Sequence, residues 1–399
     1  MLYNICKDDE NMYIVKLKKN EEKRIINGHP WIYANEVQSI TGKDVQGSVC
    51  KVVSFDERYI GLGYINHASK IIVRMLTLKD EEIDDEFFYN RIKQSNDYRL
   101  SLGYINNYRA VFCESDLLPG LIVDKYGDYL SVQFLTLGME VRKEMIVNAL
   151  VDIFKPIGIY ERSDVTVREK EGLKQFKGVI YGDFNPEVMI EENGIKMIVD
   201  LENGQKTGYF LDQKENRDNV KHYVKDKTVL DCFCNVGGFG LNASKNGAKE
   251  VTCLDISKRA IEMVNRNAML NGFTNINAIE ADVFEMLREY KRNNVKFDVV
   301  ILDPPAFTKS IDTVKAGYKG YLDINSIALK LVNKGGYLIT CSCSQHLTLN
   351  LFMKMIEESI IHSKKMCKLV ELRMQGKDHA TMINLQESLY LKVAVINVL

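Results

Sequence analysis

The feature that most constrains this chain is the alternation of apolar runs with helical segments after Met189. TVLDCF, EVTCLDI, INAIEAD, FDVVILDPP, GGYLITCSC and SLYLKVAVINVL are short, almost continuously apolar runs, and helical stretches such as Lys258 to Asn271 and Tyr321 to Val332 lie between them. A strand that is apolar on both faces must be covered on both faces. Strands of this kind joined through helices predict an α/β fold, a doubly wound, Rossmann-like sheet with helices on either side. Ligands of such sheets bind outside the carboxyl ends of the strands, so candidate site residues belong there.

Two regions precede this one. Residues 12–78 carry short β-prone runs (MYIVKL, GSVCKVVSF, YIGLGYI, KIIVRMLTL) separated by Gly and polar turns, which predicts a small β-barrel with one helix near Glu21 to Ile26. Residues 81–187 combine an amphipathic start (Phe87 to Leu100), strands such as RAVFCES, LIVDKYG and YLSVQFLTL, and a helix near Glu140 to Phe154, which predicts an α+β domain. The expected division is therefore 12–78, 81–187 and 189–399, a reasonable partition of 399 residues.

Overall charge excludes little, because 53 Lys and Arg stand against 54 Asp and Glu. Any nucleic-acid surface must be local. Residues 12–78 hold 10 Lys and Arg against 6 Asp and Glu, and Lys16, Lys18 and Arg24 are the candidates there for phosphate contacts. No apolar run is long enough to span a membrane, and Lys7, Asp8, Asp9 and Glu10 stand where a signal peptide needs an apolar core, so a cytoplasmic location is expected. Nine cysteines in so long a chain do not suggest a disulfide framework. The pairs Cys232/Cys234 and Cys341/Cys343 lack the spacing of a structural zinc site, so no metal is expected.

The strand ends carry the chemistry. The first runs into Asp231-Cys232-Phe233-Cys234-Asn235-Val236-Gly237-Gly238-Phe239-Gly240, a glycine turn that lets backbone approach a ligand but lacks the pattern of nicotinamide-binding folds. The second ends at Asp255, 24 positions later, where a carboxylate can accept from both ribose hydroxyls of an adenosine. The third ends at Asp282, placed to accept from an adenine amine, and the fourth at Asp303-Pro304-Pro305. Each aspartate alone can be a helix N-cap. Four acidic strand ends on one sheet resemble the class I methyltransferases that use S-adenosylmethionine.

A more specific resemblance rests on Gly204-Gln205-Lys206-Thr207-Gly208-Tyr209-Phe210-Leu211-Asp212-Gln213, continuing through Asn216-Arg217, on DPPAFTKS (Asp303 to Ser310), on Gly317-Tyr318, on Asp323-Ile324-Asn325 and on the CSCS run, Cys341 to Ser344. These resemble the large-subunit rRNA methyltransferase I family. NGHPWIY (Asn27 to Tyr33) is similar to its RNA-binding PUA domain, and LLPGLIVDKYGD (Leu117 to Asp128) to its central domain. The resemblance implies ribosomal RNA as partner and adds Tyr209 and Gln213 to the expected cofactor contacts. A homodimer is left open.

Resemblance to cytosine-5 RNA methyltransferases implies a cysteine that adds to carbon 6 of the base, since carbon 5 is otherwise a poor nucleophile. Position 306, after Asp-Pro-Pro, is alanine, which leaves the strand-five cysteines. Cys341 and Cys343 point the same way if the strand persists; the family pattern favours Cys343, with Asp303 near ring nitrogen 3. Phe307 or Tyr209 would stack on an unpaired base, and Lys309 would lie at the RNA. Guanine N7 is the rival acceptor, with Cys343 then structural. A non-catalytic RNA-binding assembly factor and a small-molecule methyltransferase are the readings outside this class.

Overall fold

A computed structural model describes residues 12–42, 45–308 and 310–399. The chain divides into two compact units: residues 1–188, 199–209 and 378–386 form the first, and 189–198, 210–377 and 387–399 the second. The region expected to be one methyltransferase domain therefore lends two of its segments, 199–209 and 378–386, to the first unit.

The first unit opens with β1 (Tyr13–Leu17), α1 (Glu22–Ile26), β2 (Trp31–Tyr33), β3 (Val37–Thr41), β4 (Val49–Val53), β5 (Tyr59–Ile65) and β6 (Ile71–Thr77). The six strands form one sheet in the order β2-β6-β5-β4-β1-β3. Alternation decides its interior: Tyr13, Val15 and Leu17 point inward with Ile32, Cys50, Val52 and Val73, while Ile14 and Lys16 between them point out. The chain continues through α2 (Asp85–Ser101), β7 (Asn107–Phe112), β8 (Leu121–Tyr126), β9 (Tyr129–Phe134), α3 (Leu137–Glu140), α4 (Lys143–Phe154), β10 (Gly158–Ser163) and β11 (Phe176–Tyr181). These strands make a second sheet, β11-β10-β9-β8-β7, and α2 and α4 share its core through Phe88, Ile92, Ile146 and Leu150. Asp84 starts α2, its carboxylate accepting from the Phe87 N–H.

β12 (Glu187–Glu192) and β13 (Ile195–Asp200) form a two-stranded sheet, and α5 (Lys214–Asn219) follows. The second unit is then built on β14 (Thr228–Cys232), α6 (Gly238–Lys245), β15 (Glu250–Asp255), α7 (Lys258–Leu270), β16 (Ile276–Glu280), α8 (Val283–Arg292), β17 (Phe297–Leu302), α9 (Val314–Leu331), β18 (Val332–Ser342), α10 (Leu349–Ser363), β19 (Cys367–Arg373) and β20 (Lys392–Val398). The sheet order is β16-β15-β14-β17-β18-β20-β19, parallel through β18 and antiparallel at β20 and β19. Each apolar strand feeds two cores. Leu230, Val300, Leu302, Leu338, Ala394 and Ile396 face α8, α9 and α10, while Val229, Val299, Ile301, Ile339, Cys341, Val393 and Val395 face α6 and α7.

Two elements differ from the sequence expectation. β19 was not recognised, because it is an edge strand whose residues are mostly exposed and which therefore lacks an apolar run. Helix α9 starts two turns before the expected Tyr321, since Gly317 and Gly320, poor helix formers, sit where packing requires them. Among the described residues no helix is long and apolar enough to cross a membrane.

Candidate active site

β14 must hand over to α6 within a few residues, and the turn does so with left-handed backbone at Phe233, Asn235 and Gly237. The acidic strand ends brace it. Asn235 and Ser257 each donate a backbone N–H to the Asp255 carboxylate, at 2.9 Å to Oδ2 and 2.9 Å to Oδ1. Gly237 caps α6, Gly238 is its first residue, and the Gly240 N–H reaches Asp231 Oδ2 at 2.8 Å. A Cβ at position 240 would lie 2.4 Å from Cys253 Sγ, so only glycine lets the helix descend this close to the sheet.

Asp231 is fully buried, and its Oδ1 has no hydrogen-bond partner among the described residues. Burial, reinforced by the charges of Asp303 and Asp255 and opposed by the Gly240 N–H, pushes its pKa up to about 8. A crowded set of carboxylates of this kind is relieved by a cation. S-adenosylmethionine fits that demand, since it brings an ammonium and a sulfonium together with ribose hydroxyls that donate. Asp282 caps α8, its Oδ1 accepting from the Glu285 N–H at 3.1 Å, and it stands at the same end of the sheet after β16.

Asp303 is held by a relay of polar side chains. Gln213 donates its amide N–H to Asp303 Oδ1 at 3.0 Å, while its own carbonyl accepts from Asn216 Nδ2 at 2.8 Å. Asn216 in turn accepts from Arg373 Nε at 2.9 Å. This order fixes which end of each amide faces which neighbour. Arg217 makes a bidentate pair with buried Glu192, at 2.6 and 2.8 Å, and donates to the Phe210 carbonyl, which anchors the segment. The sequence marked Gln213 and Asn216 in one motif but gave no sign that Arg373 supports them. Tyr209 belongs to the first unit, where its backbone N–H and carbonyl both bond the Tyr126 hydroxyl. It is buried there.

The two candidate cysteines part company because β18 stops at Ser342. Cys341 is wholly buried in the core on the α6 and α7 side, and burial pushes its thiol well above the ordinary value. Cys343 lies beyond the strand end, partly exposed, with Sγ 3.9 Å from the Pro304 carbonyl. The thiol thus sits against the Asp303-Pro304 loop.

Phe307, one of the two aromatics expected to stack on the target base, is partly buried, with its ring packed among Tyr321, Phe284 and Phe233 at centroid distances of 4.6, 5.8 and 6.4 Å. It anchors the loop against α9, where a Cβ at Gly317 would come 2.8 Å from its carbonyl. Lys309 lies outside the described residues. In the barrel, Arg24 is committed internally, pairing with Glu36 and donating to the Trp31 carbonyl. Lys16 pairs with exposed Glu57 at 2.8 Å and Lys18 donates to the Asn35 carbonyl, both near the surface.

Comparisons with known proteins agree with this architecture. Residues 15–78 match a PUA-like domain, and residues 180–370 match an S-adenosylmethionine-dependent methyltransferase family. The Aeromonas salmonicida protein named ribosomal RNA large subunit methyltransferase I is 41% identical over 389 residues, covering 96% of this chain and 98% of that one. A proposed SAM-dependent methyltransferase from Streptococcus mutans has the same fold, with TM-score 0.82 at 23% identity over 97% of this chain and 100% of that one. A second solved chain, complexed with SAH, gives TM-score 0.83 at 22% identity, covering 97% and 100%. The chain belongs to the ribosomal RNA large subunit methyltransferase I family, enzymes that couple a PUA-like domain to an S-adenosylmethionine-dependent methyltransferase domain.

Proposed function

We propose that this enzyme methylates carbon 5 of a cytosine in large-subunit ribosomal RNA, with Cys343 as nucleophile. The observation that carries this reading is the contrast between its cysteines. Cys232, Cys234, Cys253 and Cys341 are buried beneath the site, whereas Cys343 is partly exposed at the strand end and lies against Pro304. A buried thiol with a raised pKa is inert, and a nucleophile must reach its substrate.

When bound, S-adenosylmethionine supplies an electrophilic methyl group. The chain's own residues prepare the acceptor. The Cys343 thiolate forms a bond to carbon 6 of the cytosine, and the displaced electron pair makes carbon 5 nucleophilic. Asp303, steadied by Gln213, holds a proton near ring nitrogen 3 and so favours that addition. After methylation a base removes the carbon 5 proton, the double bond re-forms and the thiolate leaves. Asp255 is assigned to the cofactor ribose, Asp282 to the adenine, and Asp231, Gly237 and Gly238 to the methionine end, with Asp303 beside it. Lys16 and Lys18 are assigned to RNA phosphates.

The test is a trap. RNA carrying 5-fluorocytosine cannot lose a proton from carbon 5, so wild-type enzyme should remain covalently attached through denaturing electrophoresis. Cys343→Ala should give no adduct and no methyl transfer while still binding S-adenosylmethionine, and Cys341→Ala should behave as wild type. A Cys343→Ala protein that methylates RNA at the wild-type rate would sink the covalent reading.

A further inference from the structure

Lys392 opens β20 and is the one charged residue in that strand, KVAVINV, whose other residues are apolar except Asn397. Its Cα lies opposite Ser342, one residue before Cys343. The side chain is buried, only 4% exposed, and its Nζ donates to the carbonyls of Ser344 at 2.8 Å and Leu347 at 2.7 Å. No carboxylate pairs with it among the described residues. The turn it holds is tied down elsewhere as well: Ser344 Oγ accepts from the Thr308 N–H and lies 2.9 Å from the Tyr321 hydroxyl.

A buried ammonium without a counter-charge is strongly disfavoured, because burial strips its hydration and nothing of opposite charge replaces it. Two carbonyls satisfy two of its three donors but leave the charge uncompensated. Were latching the turn the whole task, a neutral glutamine amide would make the same two bonds without burying a cation. The charge itself needs a purpose. Lys392 flanks Cys343 on both sides, opposite Ser342 across the strand pair and bonded to the Ser344 carbonyl, and a thiolate at Cys343 favours its charged form.

We infer that Lys392 is a positioning residue for the methyl-transfer reaction: its buried ammonium fixes the Ser344 to Leu347 turn and supplies the positive field that favours the thiolate of Cys343. This rests on the reading of Cys343 as the nucleophile. Lys392 transfers nothing and keeps its proton throughout; the thiol proton leaves to solvent, and the thiolate is regenerated when the adduct collapses. Burial lowers the Lys392 pKa to about 8, so the field is present at neutral pH and fades above about 8. Tyr321 on α9 and Cys341 on β18 also interact electrostatically with Cys343, and Asp303 acts on Cys341 from the loop after β17.

The experiment is the pH profile of Cys343 alkylation by iodoacetamide in the full-length enzyme, read peptide by peptide in a mass spectrometer. Wild type should show a midpoint below the ordinary thiol value of about 8.5. Lys392→Gln, which keeps donors and removes the charge, should raise that midpoint by about one pH unit, and Lys392→Arg should restore it. A wild-type midpoint at or above about 8.5 overturns the inference without any variant, so a Gln variant that fails to fold does not rescue it. An unmoved midpoint in folded Lys392→Gln overturns it equally. The alkylation requires no RNA. A moved midpoint with no fluorocytosine adduct would therefore overturn the cytosine reading while leaving the charge relation in place.

Discussion

Asp231→Asn should change how stability depends on pH, and the direction follows from the site. In the folded enzyme Asp231 is buried and its pKa is raised from 3.8 to about 8, whereas in the unfolded chain it titrates normally. Between those values the folded state holds a proton that the unfolded state has released. Stability from this group is therefore fully present below about pH 4 and is lost as pH rises through about 8. The displacement sets a ceiling of about 6 kcal/mol at roughly 1.4 kcal/mol per pH unit. Relaxation and water entry reduce this to an expected ~2–3 kcal/mol. Asparagine cannot ionise, and the orphaned amide hydrogens it introduces cost about 1–3 kcal/mol at every pH. Urea unfolding followed by circular dichroism at pH 5 and pH 9, without cofactor, reads the difference. The variant should be the less stable protein at pH 5 and should gain ~2–3 kcal/mol relative to wild type by pH 9. The single tryptophan, Trp31, lies in the first unit, so its fluorescence transition serves as a control. A wild-type-to-variant difference that is the same at both pH values would refute the reasoning.

Three further outcomes are expected. Asp255→Ala removes a carboxylate that braces both the glycine turn and its own loop, and calorimetry should show S-adenosylmethionine binding weakened by about 10-fold or more, equivalent to one lost charged hydrogen bond. Gly317→Ala places a methyl 2.3 Å from the Thr308 side chain and 2.8 Å from the Phe307 carbonyl, so overpacking of about 1–3 kcal/mol should outweigh the gain of about 1 kcal/mol from helix propensity, as a lowered urea midpoint will show. Replacing Lys16 and Lys18 with glutamine should reduce the salt dependence of RNA binding by about 0.7–0.9 in log-log slope for each phosphate contact removed, and an unchanged slope would remove them from the interface.

The parts of this molecule that obey a strong periodic rule were legible in the sequence. The parallel strands announced themselves because burial on both faces demands continuous apolar runs, and the acidic residues closing them marked the ligand end of the sheet. β19 left no such trace, being an exposed edge. The packing of Phe307 against α9 was not legible either, since it depends on glycines of that helix ten or more residues further along the chain. Strand alternation could not separate Cys341 from Cys343, since the answer depended on β18 ending one residue short of Cys343. Arg373 and Lys392 act through bonds between residues far apart in the chain, which no local pattern reveals. In hindsight one signal was available for Lys392, a lone charge at the head of a mostly apolar strand.

The central claim concerns the atom that receives the methyl group. Purified enzyme should be incubated with large-subunit ribosomal RNA and S-adenosylmethionine carrying an isotopically labelled methyl group, the RNA digested to nucleosides, and the labelled product identified by chromatography and mass spectrometry. The label is expected in 5-methylcytidine. Label in 7-methylguanosine would contradict the account, because guanine N7 needs no covalent activation and Cys343 would then have no catalytic part.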